Sequence, residues 1–423
     1  MRVLHVNKFL YRRGGAEAYM LDLADLQVER GSEVAFFAMA HPDNIPSRYE
    51  EHFPRNLELN PPPRGPIARA KSVGRMLWST SARRGIARVI EDFKPDVAHL
   101  HNIYHQLSPS VLSALSNAGV PVVMTLHDCK LVCPSYSFLD HGNVCTACVG
   151  GSLREAVRRR CKDDSLGASA VLATETWLHR RFRAYDAVNV FISPSRFLAG
   201  QLTRADVYPD RLRILDNFTD PTSVPPKSEP GGPLVCVGRL HEGKGIDTAI
   251  RAMGLLGADA RLVIAGDGPE RETLERMAAD VAPGRVSFLG QRSRQEVLEL
   301  FRSATALLVP SRWHENQPMT VIEAFSCGVP VIGTALGGMG ELIIDGATGR
   351  LIPPGEPMEL ASAALALLRD PEGSLAMGKS ARRMAMARFS SEGHLSALGE
   401  LYAEARRARA KSGTSHQRDE EQR

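Results

Sequence analysis

Twelve short apolar runs, rich in Val, Ile and Leu, punctuate this 423-residue chain, and helical patterns fill most gaps between them. Runs of this length suit strands buried on both faces. Their alternation with helices argues for parallel sheets covered by helices. Six runs fall at 2–6, 33–39, 96–100, 121–126, 187–192 and 212–215, and six at 234–238, 261–265, 285–289, 306–309, 329–333 and 349–352. Between the two sets lies 219–233, TDPTSVPPKSEPGGP, which lacks periodicity and reads as a linker. The expected architecture is therefore α/β: two Rossmann-like parallel-sheet domains, 1–218 and 234–390, facing across a cleft. A last amphipathic stretch lies within 391–410, and the polar tail 411–423 is expected to be disordered.

Charge excludes more than it proposes. A net charge of +4 is small for this length, so no nucleic-acid partner follows from it. The basic excess sits in the first half, where residues 1–218 carry 28 Lys and Arg against 22 Asp and Glu. Much of it lies in 61–90, where Arg64, Arg69, Lys71, Arg75, Arg83, Arg84 and Arg88 occur without one acidic residue, beside Met76, Leu77 and Trp78. Such a segment, 64–88, can hold an anionic membrane surface or a pyrophosphate-bearing acceptor; a solvated basic helix with a buried apolar face reads equally well. The chain opens on a strand pattern, MRVLHVN, and no run reaches the ~20 apolar residues of a bilayer span. The expected location is cytoplasmic, with peripheral attachment to the inner membrane face as an option.

Chemistry concentrates at strand ends. Gly238–Gly245, GRLHEGKG, follows a run and nearly matches a P-loop, but Gly245 stands where a Mg²⁺-ligating Ser or Thr is needed. What remains is a turn whose Arg239 and Lys244 suit a diphosphate, Arg as a planar fork and Lys as a mobile charge. In LVIAGDGP (262–269), Gly266 and Gly268 permit close approach of a nucleotide, and Pro269 can open a helix. Gly14 and Gly15 precede another helical pattern, as a ligand-approach turn or as ordinary turn chemistry. His127 and Asp128 end the 121–126 run, facing the cleft or filling the core. PSRWHENQPMTVIEA (310–324) holds two carboxylates, Glu315 and Glu323, with seven residues between them.

Taken together, GRLHEGKG, LVIAGDGP, VSFLG (286–290), Glu315-x7-Glu323, CGVPVIGT, GGMGELI and DGATGRLIPPG resemble the retaining nucleotide-sugar transferases of glycosyltransferase family 4, which have the GT-B fold. The resemblance implies a donor nucleoside-diphosphate sugar held by the second domain and a last helix, 391–410, returning to the first. By motif it implies Arg239 and Lys244 on the diphosphate, with no metal or other cofactor required for catalysis. Glu323 is then the ribose ligand and Glu315 orients the sugar hydroxyls. His127 lies near the sugar, and Gly15 and Gly266 lend backbone. The acceptor would be a glycan, a lipid-linked sugar or a small molecule, in surface polysaccharide or glycolipid synthesis. A nucleotide-sugar epimerase of the same fold and a non-catalytic sugar-nucleotide binder are the alternatives. Where the family often has Glu-Gly-Phe-Gly, this chain has Glu315-Asn316-Gln317-Pro318: Pro318 lacks a backbone donor, and Asn316 and Gln317 add amide groups expected to bind the donor.

Five of the seven cysteines fall between Cys129 and Cys161. Cys133, Cys145, Cys148 and Cys161 have a C-x-x-C hub with two outliers, compatible with structural zinc, with buried thiols or with a redox disulfide. Cys129 also has ligand spacing. A similar insertion (here 129–162, after HD) marks a subset of the same transferases.

Overall fold

The computed structural model describes residues 1–59 and 64–421, with side-chain environments through residue 411. Residues 60–63, which include the first three residues of the basic segment 61–90, and the last two of the tail 411–423 lie outside the described residues. In the first half the strands are β1 (Arg2–Val6), β2 (Glu33–Phe37), β3 (Val97–Leu100), β4 (Val122–Thr125), β5 (Leu139–Asp140), β6 (Asn143–Val144), β7 (Val190–Ser193) and β8 (Leu212–Ile214). Six of them form one parallel sheet in the order β2-β1-β3-β4-β7-β8. Every residue of β3, β4 and β7 is buried, as expected for central strands covered on both faces.

The second half contributes β9 (Leu234–Val237), β10 (Leu262–Ala265), β11 (Val286–Gly290), β12 (Ala306–Val309), β13 (Val331–Thr334) and β14 (Gly349–Ile352). Their order, β11-β10-β9-β12-β13-β14, is again parallel throughout. Counted within that half it is 3-2-1-4-5-6, the doubly wound dinucleotide-binding arrangement. Strand order reverses between β9 and β12, so a crevice opens beyond their carboxyl ends.

Where the two halves join, the chain crosses twice, side by side. Thr219 bridges Ser390, and its N–H donates to the Phe389 carbonyl at 2.9 Å. The chain then enters the helix Ser391–Glu421, which packs on the first sheet: Leu398, Tyr402 and Ala405 lie buried against Val3, Val97, Val123, Val190 and Ile192. Burying a Leu or Tyr there is worth roughly 1.5–3 kcal/mol. Asp216 ties the junction together. Its carboxylate accepts two hydrogen bonds from Arg388, both 2.8 Å, and one from Gln317, while its carbonyl accepts from His394 at 2.9 Å.

Two expectations change. The tail was expected to be disordered from 411, yet the helix continues to Glu421. Extending an anchored helix adds one backbone hydrogen bond per residue and needs no new nucleus. Within the insertion 129–162, the antiparallel pair β5–β6 was not foreseen, because two-residue strands leave no alternation to read. The insertion is pinned to the helix Leu166–Arg181 by a buried triad. Lys130 donates to Glu175 at 2.8 Å and to the Pro134 carbonyl at 3.2 Å, and His105 meets the other Glu175 oxygen at 3.0 Å. Burial pushes the Glu175 carboxyl up, but Lys130 and His105 outweigh it and hold it at about 2.

The first sheet also buries imidazoles. His5 and His99 on β1 and β3, and His101 just beyond, are fully buried. Burial holds His5 and His394 down to about 4 and His127 to about 3, against an ordinary 6.5. Because the folded values lie below the unfolded one, the unfolded chain binds more protons between them. Their contribution to stability is therefore complete above pH 6.5 and is lost as pH falls toward 4. At pH 5 each such histidine costs on the order of 2 kcal/mol. Thermal unfolding followed from pH 7.5 to 5 should show Tm falling continuously below 6.5, and a level profile would contradict the burial of neutral imidazoles.

Candidate functional site

The two loops at the second sheet's switch point supply the most concentrated chemistry. The turn after β9 ends in a short helical turn, Glu242–Lys244, and the loop after β12 carries Ser311 to Pro318. Lys244 Nζ reaches Glu315 Oε1 at 2.8 Å, and the same oxygen accepts from Ser311 Oγ at 2.6 Å and Trp313 Nε1 at 2.8 Å. Glu315 is 8% exposed. Burial pushes its carboxyl up, but Lys244 and these hydrogen bonds outweigh it and keep the carboxylate ionised. With three donors on Oε1, Oε2 has no protein donor among the described residues. Trp313 also underlies Lys244, with Nζ 5.2 Å from the ring centroid, and itself stacks on His241 at 5.6 Å. Arg312 is committed to Asp247, whereas Arg239 is exposed and has no ion pair among the described residues.

Glu323 lies one helix away, on Met319–Ser326, and its setting is the opposite of Glu315's. The nearest cation, Arg294, stands 3.6 Å off and is shared with Asp22 of the first domain at 3.1 Å. Burial dominates, offset in part by Arg294, and the carboxyl rises to about 7. Two carboxylates eight positions apart thus differ in protonation at neutral pH because only one has a committed cation. Gly15 opens the helix Gly15–Glu29 opposite this one. A Cβ on Gly15 would lie 3.5 Å from Met319, an ordinary contact, so packing does not demand glycine there. Two helix amino ends therefore face each other across the cleft, and both favour negative charge. Gly266 differs: at φ +142° its Cβ would sit 1.9 Å from the Gly238 carbonyl, so the glycine lets the β9 and β10 turns touch.

Asn316 and Gln317 were expected to offer their amides to a donor, but both are occupied by the first domain. Asn316 Nδ2 donates to the Leu126 carbonyl at 2.9 Å and Oδ1 accepts from Ser195 at 2.6 Å. Gln317 accepts from the Asn217 N–H and donates to Asp216, both at 2.5 Å. An amide has a donor end and an acceptor end, and each residue finds both on the facing domain. Glu341 clamps the same interface, accepting from the Arg196 and Phe197 N–H groups at 2.8 and 2.6 Å. Gly338 holds its loop against this one, since a Cβ would fall 1.8 Å from the Asn316 carbonyl. Ser195, Ser311, Trp313 and Glu341 were not singled out from sequence. Ser311, Trp313 and Glu341 stood inside quoted motifs, whereas Ser195 did not. The Leu126 contact brings His127, half-buried, to the Glu315 loop; its Nε2 meets His101 Nδ1 at 3.1 Å.

Away from the cleft, Cys133, Cys145, Cys148 and Cys161 line one cavity of ≈ 10 Å³, and all are free thiols. Cys129 is absent from that lining and packs in the first domain's core. Burial first, then neighbouring thiols, pushes Cys148 up to about 12; burial, then the Asp140 charge and neighbouring thiols, pushes Cys161 up to about 11. No three of the sulfurs lie mutually within 4.8 Å, a spacing that among the described residues only His5, His99 and His101 meet. On the basic segment, Arg64, Arg69, Lys71, Arg83, Arg84 and Arg88 are exposed beside Ile67 and Trp78, whereas Met76 is buried.

Two family models cover most of the chain: Glycosyltransferase Family 4 matches residues 13–223, and Glycosyl transferases group 1 matches 224–384. N-acetyl-alpha-D-glucosaminyl L-malate synthase of Bacillus anthracis is 33% identical over 172 residues, 40% of this chain and 44% of that protein. The chain thus aligns with less than half the length of this relative. Phosphatidyl-myo-inositol mannosyltransferase of Mycobacterium leprae is 27% identical over 369 residues, 84% of each chain. Among solved structures, sucrose-phosphate synthase from Thermosynechococcus elongatus superposes with a TM-score of 0.71 at 21% identity, covering 95% of this chain and 98% of that one.

Proposed function

We propose, for a chain that belongs to glycosyltransferase family 4 and has the GT-B fold, that it moves a sugar from a nucleoside-diphosphate donor to a hydroxyl of a glycan, lipid-linked or small-molecule acceptor with retention of configuration. The observation that carries this reading is the Lys244–Glu315 pair at the switch point, beside the exposed Arg239. An ion pair anchored on one carboxylate oxygen leaves the other free to orient sugar hydroxyls. Lys244 and Arg239 meet the diphosphate, and the facing helix ends at Gly15 and Met319 add to the positive field. Glu323 accepts from the ribose. Gly266 serves by shaping the turn, and Asn316 and Gln317 by holding the domains closed over the donor.

As the bond from the anomeric carbon to the diphosphate oxygen breaks, charge builds on the leaving group, and Arg239 and Lys244 offset it without a metal. The acceptor hydroxyl attacks from the face the diphosphate leaves, forming the new C–O bond, and its proton passes to the departing phosphate oxygen. No protein nucleophile is required. Lys244→Ala and Glu315→Gln should each lower kcat for transfer about 100-fold or more while near-UV circular dichroism stays native. Full-rate transfer by both variants would sink the assignment.

The exposed basic residues of 64–88 suit a peripheral role at an anionic membrane surface, which would serve a lipid-linked acceptor. No described helix is long and apolar enough to cross a membrane. Vesicles containing anionic lipid should sediment the protein, less so after Arg83→Glu with Arg84→Glu. Equal binding to neutral vesicles would rule this out.

The four thiols around one cavity fit a structural zinc, whose tetrahedral ligands sit about 2.3 Å from the ion. The sulfurs must draw inward to reach it. A bound cation would hold them as thiolates against the burial that otherwise raises them. Protein purified under reducing conditions should carry about one zinc per chain, lost in Cys148→Ser; metal-free, fully folded wild type would exclude the site.

A further inference from the structure

The insertion 129–162 reaches past the first domain to both loops of the Lys244–Glu315 pair. Its hairpin, β5 and β6, turns at His141 and Gly142, both with positive φ as a tight two-residue hairpin turn needs. A Cβ on Gly142 would lie 3.4 Å from Glu242 Oε1, so the turn abuts the short helical turn Glu242–Lys244. Just before the hairpin, the Phe138 ring stands perpendicular to the ring of His314, with 5.9 Å between centroids. His314 lies between Trp313 and Glu315 in the loop after β12.

Phe138 is 1% exposed and sits at φ +53°. Bulky side chains seldom adopt that backbone conformation, and it persists where the surroundings enforce it. Here its carbonyl accepts from the Cys145 N–H at 2.7 Å, and its ring lines the cavity around Cys133, Cys145, Cys148 and Cys161. The same ring meets Phe197, in the helix Arg196–Arg204 of the first domain, at 6.2 Å and 85°. Phe197 and His314 in turn stack across the domain interface at 4.6 Å. Edge-on and offset contacts are the favoured ones for aromatic rings, so three segments meet in one mutually oriented set. His314 Nδ1 is buried with no hydrogen-bond partner among the described residues, which leaves packing on Phe138 and Phe197 to orient that ring. Behind the loop the second domain is filled to contact: a Cβ on Gly337 would fall 2.3 Å from the Glu315 carbonyl. The Glu315 loop is thus gripped from two domains.

We propose that the Cys-rich insertion is a positioning element of the second domain's site: Phe138 sets His314, and through it the geometry of the Lys244–Glu315 pair, while the hairpin turn backs Glu242. Phe138 acts through the loop and is not itself a catalytic residue. Because its ring also lines the thiol cavity, the packing of the four sulfurs decides where that ring stands. An insertion carried by the first domain thereby shapes a pocket built by the second. The consequence for an anionic ligand rests on the transferase reading; the effect on the loop does not.

The loop can be read by fluorescence on the full chain. Of its three tryptophans, Trp78 and Trp177 are exposed. Replacing both by Phe leaves Trp313, which donates to Glu315 and underlies Lys244, as the sole emitting indole. In that parent, Phe138→Ala should shift Trp313 emission to longer wavelength as water enters the loosened loop. Inorganic pyrophosphate, titrated against the same emission, should bind about ten-fold more weakly, since a displaced Lys244 loses a charge-assisted contact. His314→Ala should do the same, and the double variant should be no worse than the poorer single one, because both remove one contact. Phe138→Leu keeps apolar volume without a ring, should show the same shift, and serves if Phe138→Ala does not fold. Unchanged emission in the folded variants overturns the proposal. So does unchanged pyrophosphate affinity in a parent that binds it, or additivity of Phe138→Ala with His314→Ala. A shifted emission in a parent that pyrophosphate leaves unperturbed supports the positioning role and counts against the transferase reading instead.

Discussion

Asp216 accepts hydrogen bonds from every part of the molecule that must stay in register. Arg388 ends the penultimate helix, Gln317 lies in the loop after β12, and His394 opens the last helix. One short acidic residue at the crossing between domains thus receives both the second domain and the returning helix. A bidentate Arg–carboxylate pair has a defined plane as well as an energy, so it sets an angle between the parts. The loops carrying Lys244 and Glu315 belong to one domain and His127 to the other, and their juxtaposition is only as exact as that angle.

The loops at the second sheet's switch point show how position and protonation are separated. Glu315 and Glu323 arise from the same loop and helix, yet one has Lys244 against it and the other shares a more distant Arg294. Burial presses both toward the neutral form; only a committed cation reverses it. The outcome is one carboxylate held ionised and one poised near neutrality, within a single turn-and-helix segment.

Sheet content was legible because short apolar runs of strand length alternate with helical patterns, and strands 2–6, 306–309 and 349–352 coincide with those observed. The loops carrying Lys244 and Glu315 were legible as well, since glycines and charges at strand ends are local features. The contacts of Asn316 and Gln317 were not. Their partners, Leu126, Ser195, Asp216 and Asn217, are about 100 to 190 residues away, and an amide in a sequence does not say which domain it will face. Nor could sequence reveal that His5, His99, His101 and His127 come together, because parallel pairing of β1 with β3 and β3 with β4 is what aligns them.

The side-by-side crossings at Thr219 and Ser390 have a mechanical consequence. Two covalent tethers meeting at one place act as a pivot: they permit rotation about that place and resist sliding. Any opening of the cleft must then sweep its far rim widely while atoms beside the pivot barely move. Gln317 and Asp216 sit at the still centre, and so does Glu341, whose carbonyl accepts from the same Arg388 that holds Asp216.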